Sequence, residues 1–183
     1  MTIEMAENQQ CEKCDHGPNG GGNQCLMLAQ GVACHKGLGW SPIAFRPDDL
    51  VFLALAIWRE SRGEPVACRV SVAHSVWNRV QRKSWWGDTV VNVLRKKWQY
   101  SSLTDPRDPQ LTTWPQSGDQ HWEECISIAR DVLTKKSAHP MPGADSYHDI
   151  SIAPPAWTAK ARRCGQIGKI IFYDVDHDYQ EAS

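Results

Sequence analysis

The sequence predicts an α+β fold that is mainly α-helical, with a small β element near the C-terminus. Apolar residues recur at intervals of three and four through two long segments in the middle of the chain. The segment "IGKIIFYDV" (167–175) instead has the β-branched and aromatic composition of a strand. With 183 residues, the chain is long enough for one domain with a substantial core and a tail.

The N-terminal part of the chain differs in composition from the rest. Residues 1–45 are polar and rich in glycine, which predicts a Cys/Gly-rich tail or small module ahead of a main domain at 46–183. One CxxC pair and two single cysteines permit a structural zinc site, although disulfides or free thiols are favoured. These four cysteines are Cys11, Cys14, Cys25 and Cys34.

The first two predicted helices follow each other closely. Acidic residues precede an apolar stripe in "PDDLVFLALAIWRES", and Gly63 then interrupts it, which predicts a helix from 48 to 61. Pro65 suits the first turn of a second helix that runs to residue 82. The predicted inward face of this helix carries Val66, Val70, Ala73, Trp77 and Val80.

Two further helices and an irregular region complete the main domain. A short helix is predicted over 89–96 and a longer one over 119–135. Between them, "WQYSSLTDPRDPQLTTWPQ" contains too much proline for a long regular element. Residues 146–157 are predicted to form a loop or short extended segments before the C-terminal strand.

Charge and hydropathy exclude some functional classes. Twenty basic and 21 acidic residues give a net charge of −1, so the composition shows no bias toward nucleic acid or an anionic membrane. No apolar run approaches the roughly 20 residues of a membrane-spanning helix, and "MTIEMAENQQCEKC" lacks the features of a signal peptide. We therefore expect no nucleic-acid partner, no membrane span and synthesis without a signal peptide. We also expect the protein to be a monomer.

Glu60 occupies a position on the apolar stripe of the first helix. Helical steps back from it give Ile57 and Leu53, so its carboxyl group shares the face expected to enter the core. It also lies in the last helical turn, where the helix dipole disfavours negative charge. Both effects raise the pKa of a carboxyl group, as a general acid requires near neutral pH. The alternative is an ordinary glutamate at a helix end, paired at the domain surface with Arg59, Arg62 or a basic residue distant in the sequence.

Four segments resemble a known family in the order in which that family carries them. The segment "AIWRESRGEPVACRVSVAHSVWNRV" (56–80) resembles the signature of the SleB-type cell-wall hydrolases, which include spore-cortex-lytic enzymes and phage endolysins. The other three segments are "WQYSS" (98–102), "SYHDISIAPPAW" (146–157) and "IGKIIFY" (167–173). The chain departs from the family at Ser61, where alanine is typical, and at Ile170, where histidine is common. The N-terminal cysteine segment has no counterpart in the family.

The resemblance implies a lysozyme-like catalytic domain over 46–183 that cleaves the β-1,4 bond between N-acetylmuramic acid and N-acetylglucosamine in peptidoglycan glycan strands. It implies a lytic transglycosylase that leaves 1,6-anhydro ends, requires no cofactor and uses Glu60 as its catalytic residue. Glu64 is expected to support the geometry of the site. A phage endolysin of this kind is synthesised in the host cytoplasm and acts on the wall in the periplasm or outside the cell.

Further residues are candidates for binding the sugar or supporting the site. Besides Glu64, they are Gln99, Tyr100, Ser101, Tyr147, His148 and Trp157. Tryptophans in irregular segments are better candidates for packing against sugar rings than tryptophans at core-facing helical positions. The first group is Trp98, Trp114 and Trp157, and the second is Trp58, Trp77 and Trp122.

Three alternative functions remain open from the sequence. A hydrolytic muramidase uses water as the acceptor and needs a second carboxylate, which would be Glu64, Asp105 or Asp145. A cysteine hydrolase would use Cys68 or Cys125 with His148, although nothing in the sequence marks either thiol as reactive. A zinc-stabilised module that binds nucleic acid or a protein partner is the alternative of a different class, and the near-neutral charge argues against it.

Overall fold

The computed structural model describes residues 45–82 and 84–176, and within these ranges the chain has a mainly α-helical α+β fold, as predicted. The helices are α1 (Pro47–Ser61), α2 (Val66–Arg82), α3 (Val90–Arg95), α4 (Ser101–Thr104) and α5 (Gln120–Leu133). The strands are β1 (Ser146–Asp149), β2 (Arg162–Ile167) and β3 (Ile170–Asp174). Short 3-10 turns cover Pro109–Thr112 and Ala156–Ala159. None of the helices in the described ranges has the length and apolar composition needed to cross a bilayer.

The N-terminal predictions lie outside the described residues. They are the tail or module at 1–45 and the zinc site at Cys11, Cys14, Cys25 and Cys34. Both therefore stay predictions. The fold described below concerns the main domain only.

Helix α1 is the central helix of the domain. The six consecutive residues 53–58 are all buried, whereas a helix on a protein surface buries only one stripe. It packs against α2, α3 and α5. Asp49 in its first turn is also buried, and its Oδ1 accepts a hydrogen bond of 3.2 Å from the backbone N–H of Val91 at the start of α3. The last turn of this central helix carries Glu60.

Helix α2 packs on two sides, and its predicted single inward stripe was incomplete. Ala73 and Val80 do pack in the helical core, but Val66 is 54% exposed because it begins the helix beyond the edge of that core. On the other side, Cys68 and Val72 pack against the sheet, in a second apolar cluster. Helix α2 therefore lies between the helical core and the sheet, and it holds the two layers together.

The predicted C-terminal strand is the second half of a β-hairpin. Strand β3 is central in the antiparallel order β1-β3-β2, and Gly168 turns the chain between β2 and β3 with a φ of +59°. Strand β2 was not predicted because its sequence, "RRCGQI", does not alternate between polar and apolar residues. An edge strand tolerates such a sequence, because charged residues are common there. Strand β1 lies in the segment predicted as a loop or short extended segments.

A buried ionic network joins the end of α2 to the sheet. Arg82 forms ion pairs with the carboxylates of Asp145 and Asp174, both of which are fully or almost fully buried. Asp145 also accepts hydrogen bonds from the backbone N–H groups of Val175 and Asp176, at 3.0 Å each. Because each buried carboxylate has charged and polar partners, the network fixes the sheet against α2 without leaving an isolated charge.

A second attachment joins the α1–α2 loop to the β2–β3 turn. Glu64 Oε2 accepts a hydrogen bond of 2.9 Å from the backbone N–H of Lys169. A Cβ atom at Gly168 would lie 2.0 Å from the same oxygen. The glycine is therefore required twice, by its positive φ and by the close approach of Glu64.

We expect Gly168→Ala to lower the free energy of unfolding more than the matched variant Gly118→Ala. Both glycines have positive φ, at +59° and +81°, so both substitutions introduce the same kind of backbone strain. Only Gly168 has a close neighbour, since a Cβ at Gly118 would meet nothing within 4 Å. Denaturant unfolding should give a loss of about 1 kcal/mol for Gly118→Ala and about 2 to 3 kcal/mol for Gly168→Ala. Equal losses would contradict the attachment through Glu64.

Candidate active site

The carboxyl group of Glu60 is held by side chains from two other elements. Its Oε1 accepts a hydrogen bond from the hydroxyl of Ser102 on α4. Its Oε2 accepts one of 3.3 Å from the hydroxyl of Tyr147 on β1. The side chain is half-buried, whereas Ser102 is buried. A carboxyl group therefore lies where the central helix, α4 and the sheet meet.

The surroundings raise the pKa of Glu60 above its ordinary value. Burial is the main cause, and the nearby charge of Asp108 adds to it. The hydrogen bonds from Ser102 and Tyr147 lower the pKa in part, as does the positive charge of Arg79. Burial prevails, so the carboxyl group keeps its proton to a higher pH than a glutamate in water. This is the property that a general acid needs.

Neither neighbouring arginine neutralises Glu60 in the described part of the chain. Arg59 is buried and donates to backbone carbonyls, at 2.8 Å to Ser102 O and 2.9 Å to Leu111 O. Arg62 lies 4.2 Å from the ring centre of Trp58. The alternative of a surface glutamate paired with either arginine is therefore not what the structure contains.

Arg79 supplies a fixed positive charge behind the site. Its guanidinium group is buried, donating to Asp145 O at 2.6 Å and to Gln99 Oε1 at 3.2 Å. It also stacks on the ring of Tyr100, with 5.0 Å to the ring centre. Gln99, predicted to line the sugar groove, thus contacts Arg79. Sequence reasoning did not single out Arg79, although it belongs to the "NRV" segment that carried the resemblance.

The two tyrosines near Glu60 keep their phenol protons at neutral pH. Burial raises the pKa of Tyr100 to about 12, with Arg79 opposing the shift. Burial and the nearby Glu60 raise the pKa of Tyr147 well above its ordinary value. Tyr147 is therefore a hydrogen-bond donor to Glu60, whereas Tyr100 is 2% exposed and packs in the core beside the site.

The serine that contacts Glu60 is Ser102, and the predicted candidate Ser101 contacts a different residue. Ser101 is exposed, and its hydroxyl donates a hydrogen bond of 2.6 Å to Asp108 Oδ2. Both serines lie in the first turn of α4, so they point in different directions from adjacent positions. The "WQYSS" pattern identified the segment that contacts Glu60. Which of its two serines faces inward depends on the residue at which α4 begins.

His148 and Trp157 lie on the opposite face of the sheet from Glu60. Successive side chains on a strand point to opposite faces, so the contact of Tyr147 with Glu60 directs His148 away. The His148 ring stacks on Tyr173, with 5.5 Å between ring centres, and its Nε2 lies 3.3 Å from the Tyr173 hydroxyl. Trp157 packs edge-on against the same tyrosine. The structure therefore does not bring these two candidates together with Glu60.

The acids predicted as a possible second carboxylate each have another partner. Glu64 binds the backbone of Lys169, Asp105 forms an exposed ion pair with Arg107, and Asp145 belongs to the buried network with Arg82. Asp108, which sequence reasoning missed, is the acid whose charge raises the pKa of Glu60. Its local pattern indicates only a cap, since Asp108 precedes the 3-10 turn at Pro109–Thr112, and its closeness to Glu60 comes from tertiary packing.

Thiol and metal chemistry find no support in the described part of the chain. Burial raises the pKa of Cys68 to about 12 and that of Cys125 to about 11, so both stay protonated thiols. Cys68 also packs on the helix side of the sheet, and His148 lies on the other side. Within residues 45–82 and 84–176, no group of three or more His, Cys, Asp or Glu side chains is arranged to hold a metal ion.

Comparisons with known proteins identify the family. A profile described as Cell Wall Hydrolase matches residues 63–173, beginning three residues after Glu60. The crystal structure of the catalytic domain of the Bacillus cereus SleB protein is 26% identical, with a TM-score of 0.58 over 75% of this chain and 99% of that one.

A second solved structure agrees with the first. The catalytic domain of the germination-specific lytic transglycosylase SleB from Bacillus anthracis is also 26% identical, with a TM-score of 0.57 over 70% of this chain and 96% of that one. No curated protein matches. The family profile covers more than half of the chain, and both structures share its fold. The chain therefore belongs to the cell wall hydrolase family and is an enzyme that degrades peptidoglycan.

Proposed function

We propose that the enzyme is a lytic transglycosylase that cleaves the β-1,4 bond between N-acetylmuramic acid and N-acetylglucosamine, with Glu60 as its single acid and base. The observation that carries the proposal is the half-buried carboxyl group with a raised pKa, held by hydrogen bonds from Ser102 and Tyr147. Similarity to a Bacillus anthracis domain described as a lytic transglycosylase supports it. A mechanism with one carboxyl group fits a site whose other acids have separate partners.

The first step is protonation of the leaving group. Glu60 donates its proton to the glycosidic oxygen while the bond from that oxygen to C1 of the muramic acid breaks. The N-acetylglucosamine leaves with a free 4-hydroxyl, and positive charge develops at C1. Because the proton has been transferred, Glu60 is now a carboxylate next to that charge.

The second step uses the same residue as the base. The Glu60 carboxylate takes the proton of the muramic acid 6-hydroxyl, and that oxygen forms a bond to C1, which gives the 1,6-anhydro ring. Ser102 and Tyr147 stabilise the carboxylate between the two steps, since both donate hydrogen bonds to it. At the end of the cycle Glu60 is protonated again, so no water is consumed.

The second candidate is a hydrolytic muramidase, and one observation favours it. Asp108 is close enough for its charge to raise the pKa of Glu60, so it is the acid best placed to activate a water molecule. Its carboxylate already accepts from the Ser101 hydroxyl and, at 2.8 Å, from the backbone N–H of Gln110. These bonds fit a capping role better than that of a free base.

The biological setting stays a prediction. The resemblance implies an endolysin that lyses a bacterial host from within, acting in the periplasm or outside the cell. A monomeric enzyme without a nucleic-acid partner is likewise an expectation from the sequence. Membership in the cell wall hydrolase family supports peptidoglycan as the substrate, whether the enzyme acts in the periplasm or outside the cell.

Digestion of purified peptidoglycan by the wild type should release muropeptides with 1,6-anhydro ends, identified by mass spectrometry. Glu60→Gln should reduce the rate of release at least about 1000-fold, because an amide supplies no acidic proton. Reducing ends from the wild type would contradict the transglycosylase and favour hydrolysis. If those ends required Asp108, tested as Asp108→Asn, the muramidase would replace the proposal. Full activity of Glu60→Gln would remove Glu60 from either mechanism.

Glu60→Gln should also unfold at a higher temperature than the wild type at neutral pH. The pKa of Glu60 is raised in the folded state, so the folded chain binds its proton more tightly than the unfolded chain. Wild-type stability therefore falls as the pH rises from about 4.3, the pKa of an unperturbed glutamate, through the folded-state pKa. Glu60→Gln has no carboxyl group to ionise, so its stability does not fall over this pH range. The difference in Tm between the variant and the wild type should therefore grow as the pH rises through this range, and it should vanish below it. The exposed Glu123→Gln is the control, and a difference independent of pH would contradict the raised pKa.

Ser102→Ala should move the alkaline limb of the pH profile of kcat/KM to higher pH. The Ser102 hydroxyl stabilises the charged form of Glu60 and lowers the pKa of Glu60. Without this hydroxyl, the carboxyl group should keep its proton to a higher pH. The matched control is Ser101→Ala, because this neighbouring hydroxyl bonds to Asp108. An unchanged limb in Ser102→Ala, or the same shift in both variants, would count against this role of Ser102.

A further inference from the structure

Trp98 is an exposed aromatic residue in a conformation that bulky side chains rarely adopt. Its side chain is 71% exposed, and its φ is +69°. Such backbone strain persists where the surrounding structure holds it, and it clusters at binding and catalytic sites. The residue directly precedes the segment that supplies Tyr100 and Ser102. The position of this strain calls for an explanation that packing does not give, since most of the ring contacts solvent.

Trp98 borders a surface depression of about 380 Å³ next to the site. The depression is lined by Lys97, Trp98, Ser101, Thr104, Asp105, Pro106 and Arg107. Ser101 lines the depression, and the next residue, Ser102, binds Glu60. The short helix α4 therefore contributes Ser101 to the depression and Ser102 to the contact with Glu60, so a polymer bound at Glu60 has the depression as a neighbouring surface.

Two basic side chains line the depression together with Trp98. The Lys97 Nζ lies 5.0 Å from the ring centre of Trp98, and Lys97 forms no ion pair within the described residues. Arg107 pairs with Asp105 through its Nε and Nη2 atoms, which leaves its Nη1 for a further acceptor. An exposed aromatic ring with one cationic group over one of its faces, and a second in the same depression, suits a sugar ring that carries a carboxylate.

We propose that Trp98, Lys97 and Arg107 form a subsite for a muramic acid unit that carries its stem peptide. The sugar ring packs on Trp98, and the carboxylates of the peptide bind Lys97 and Arg107. Peptidoglycan offers both groups on one repeating unit, whereas a glycan of N-acetylglucosamine alone offers only the ring. The subsite rests on peptidoglycan as the substrate of the proposed function, and it concerns binding rather than the bond that is cleaved.

Trp85 provides a matched control in the same protein. It is 53% exposed, and Lys96 Nζ lies 4.9 Å from its ring centre, as Lys97 does from Trp98. Its ring is stacked on Trp86 with 3.6 Å between centres, and it does not line the depression. Trp85→Ala removes the same kind of side chain and the same kind of cation contact at a position outside the depression, so it controls for the loss of an exposed tryptophan beside a lysine.

Binding is measured in the Glu60→Gln background, so that no substrate is cleaved. Sedimentation with intact peptidoglycan should show about tenfold weaker binding for Trp98→Ala and no change for Trp85→Ala. Lys97→Gln together with Arg107→Gln should weaken binding to intact peptidoglycan, but not to chitin strands, which present β-1,4-linked N-acetylglucosamine rings without any carboxylate. Trp98→Ala should weaken binding to both materials.

Three results would overturn the subsite. The first is equal binding by Trp98→Ala and Trp85→Ala, and the second is a parent protein that does not sediment with intact peptidoglycan. The third is an equal loss of binding to both materials when Lys97 and Arg107 are replaced, because the two basic residues would then not recognise the peptide carboxylates. These outcomes are separate from failure of the proposed function, which is seen as the absence of anhydro products from the wild type.

Trp98→Gly separates a binding role from a structural one. Glycine adopts a φ of +69° without strain, so this variant should keep the Tm of the wild type or raise it, while it weakens binding as Trp98→Ala does. A residue kept for stability would behave in the opposite way. A marked fall in Tm with unchanged binding would therefore contradict the subsite.

Discussion

The burial of one carboxyl group without a paired cation is the constraint on which the site depends. Glu60 ends a helix that is buried through most of its length, so its carboxyl group enters protein surroundings that favour the protonated form. The arginines nearest in sequence bind backbone carbonyls and an aromatic ring instead. Two hydroxyl donors then hold the group in place without removing its proton.

This arrangement requires the sheet to be fixed accurately against the helices, because one of the two donors comes from a strand. Two attachments far apart in the sequence provide that. The buried network of Arg82 with Asp145 and Asp174 joins the end of α2 to the sheet. Glu64 joins the loop after α1 to the hairpin turn at Gly168. The second glutamate of "ESRGEP" thus positions the sheet that carries Tyr147, and the first is Glu60, the proposed acid.

Periodic patterns predicted α1, α2, α3 and α5 and placed Glu60 on the inward side of α1, whereas the four-residue helix α4 was not predicted. The sequence could not distinguish Ser102 from Ser101, because their directions depend on the start of a helix of only four residues. The direction of His148 depends on strand alternation in a segment that was predicted without a register. Asp108 came near Glu60 through tertiary packing alone, which no local pattern contains.

The pKa of Glu60 itself is the most direct test of this account. A titration of the carboxyl carbons of the enzyme labelled with ¹³C-glutamate, followed by NMR, assigns the Glu60 resonance as the one missing in Glu60→Gln. The account predicts a midpoint above the ordinary glutamate value of about 4.3. A midpoint at or below that value would mean that the carboxyl group is ionised at neutral pH, and Glu60 could not then be the proton donor.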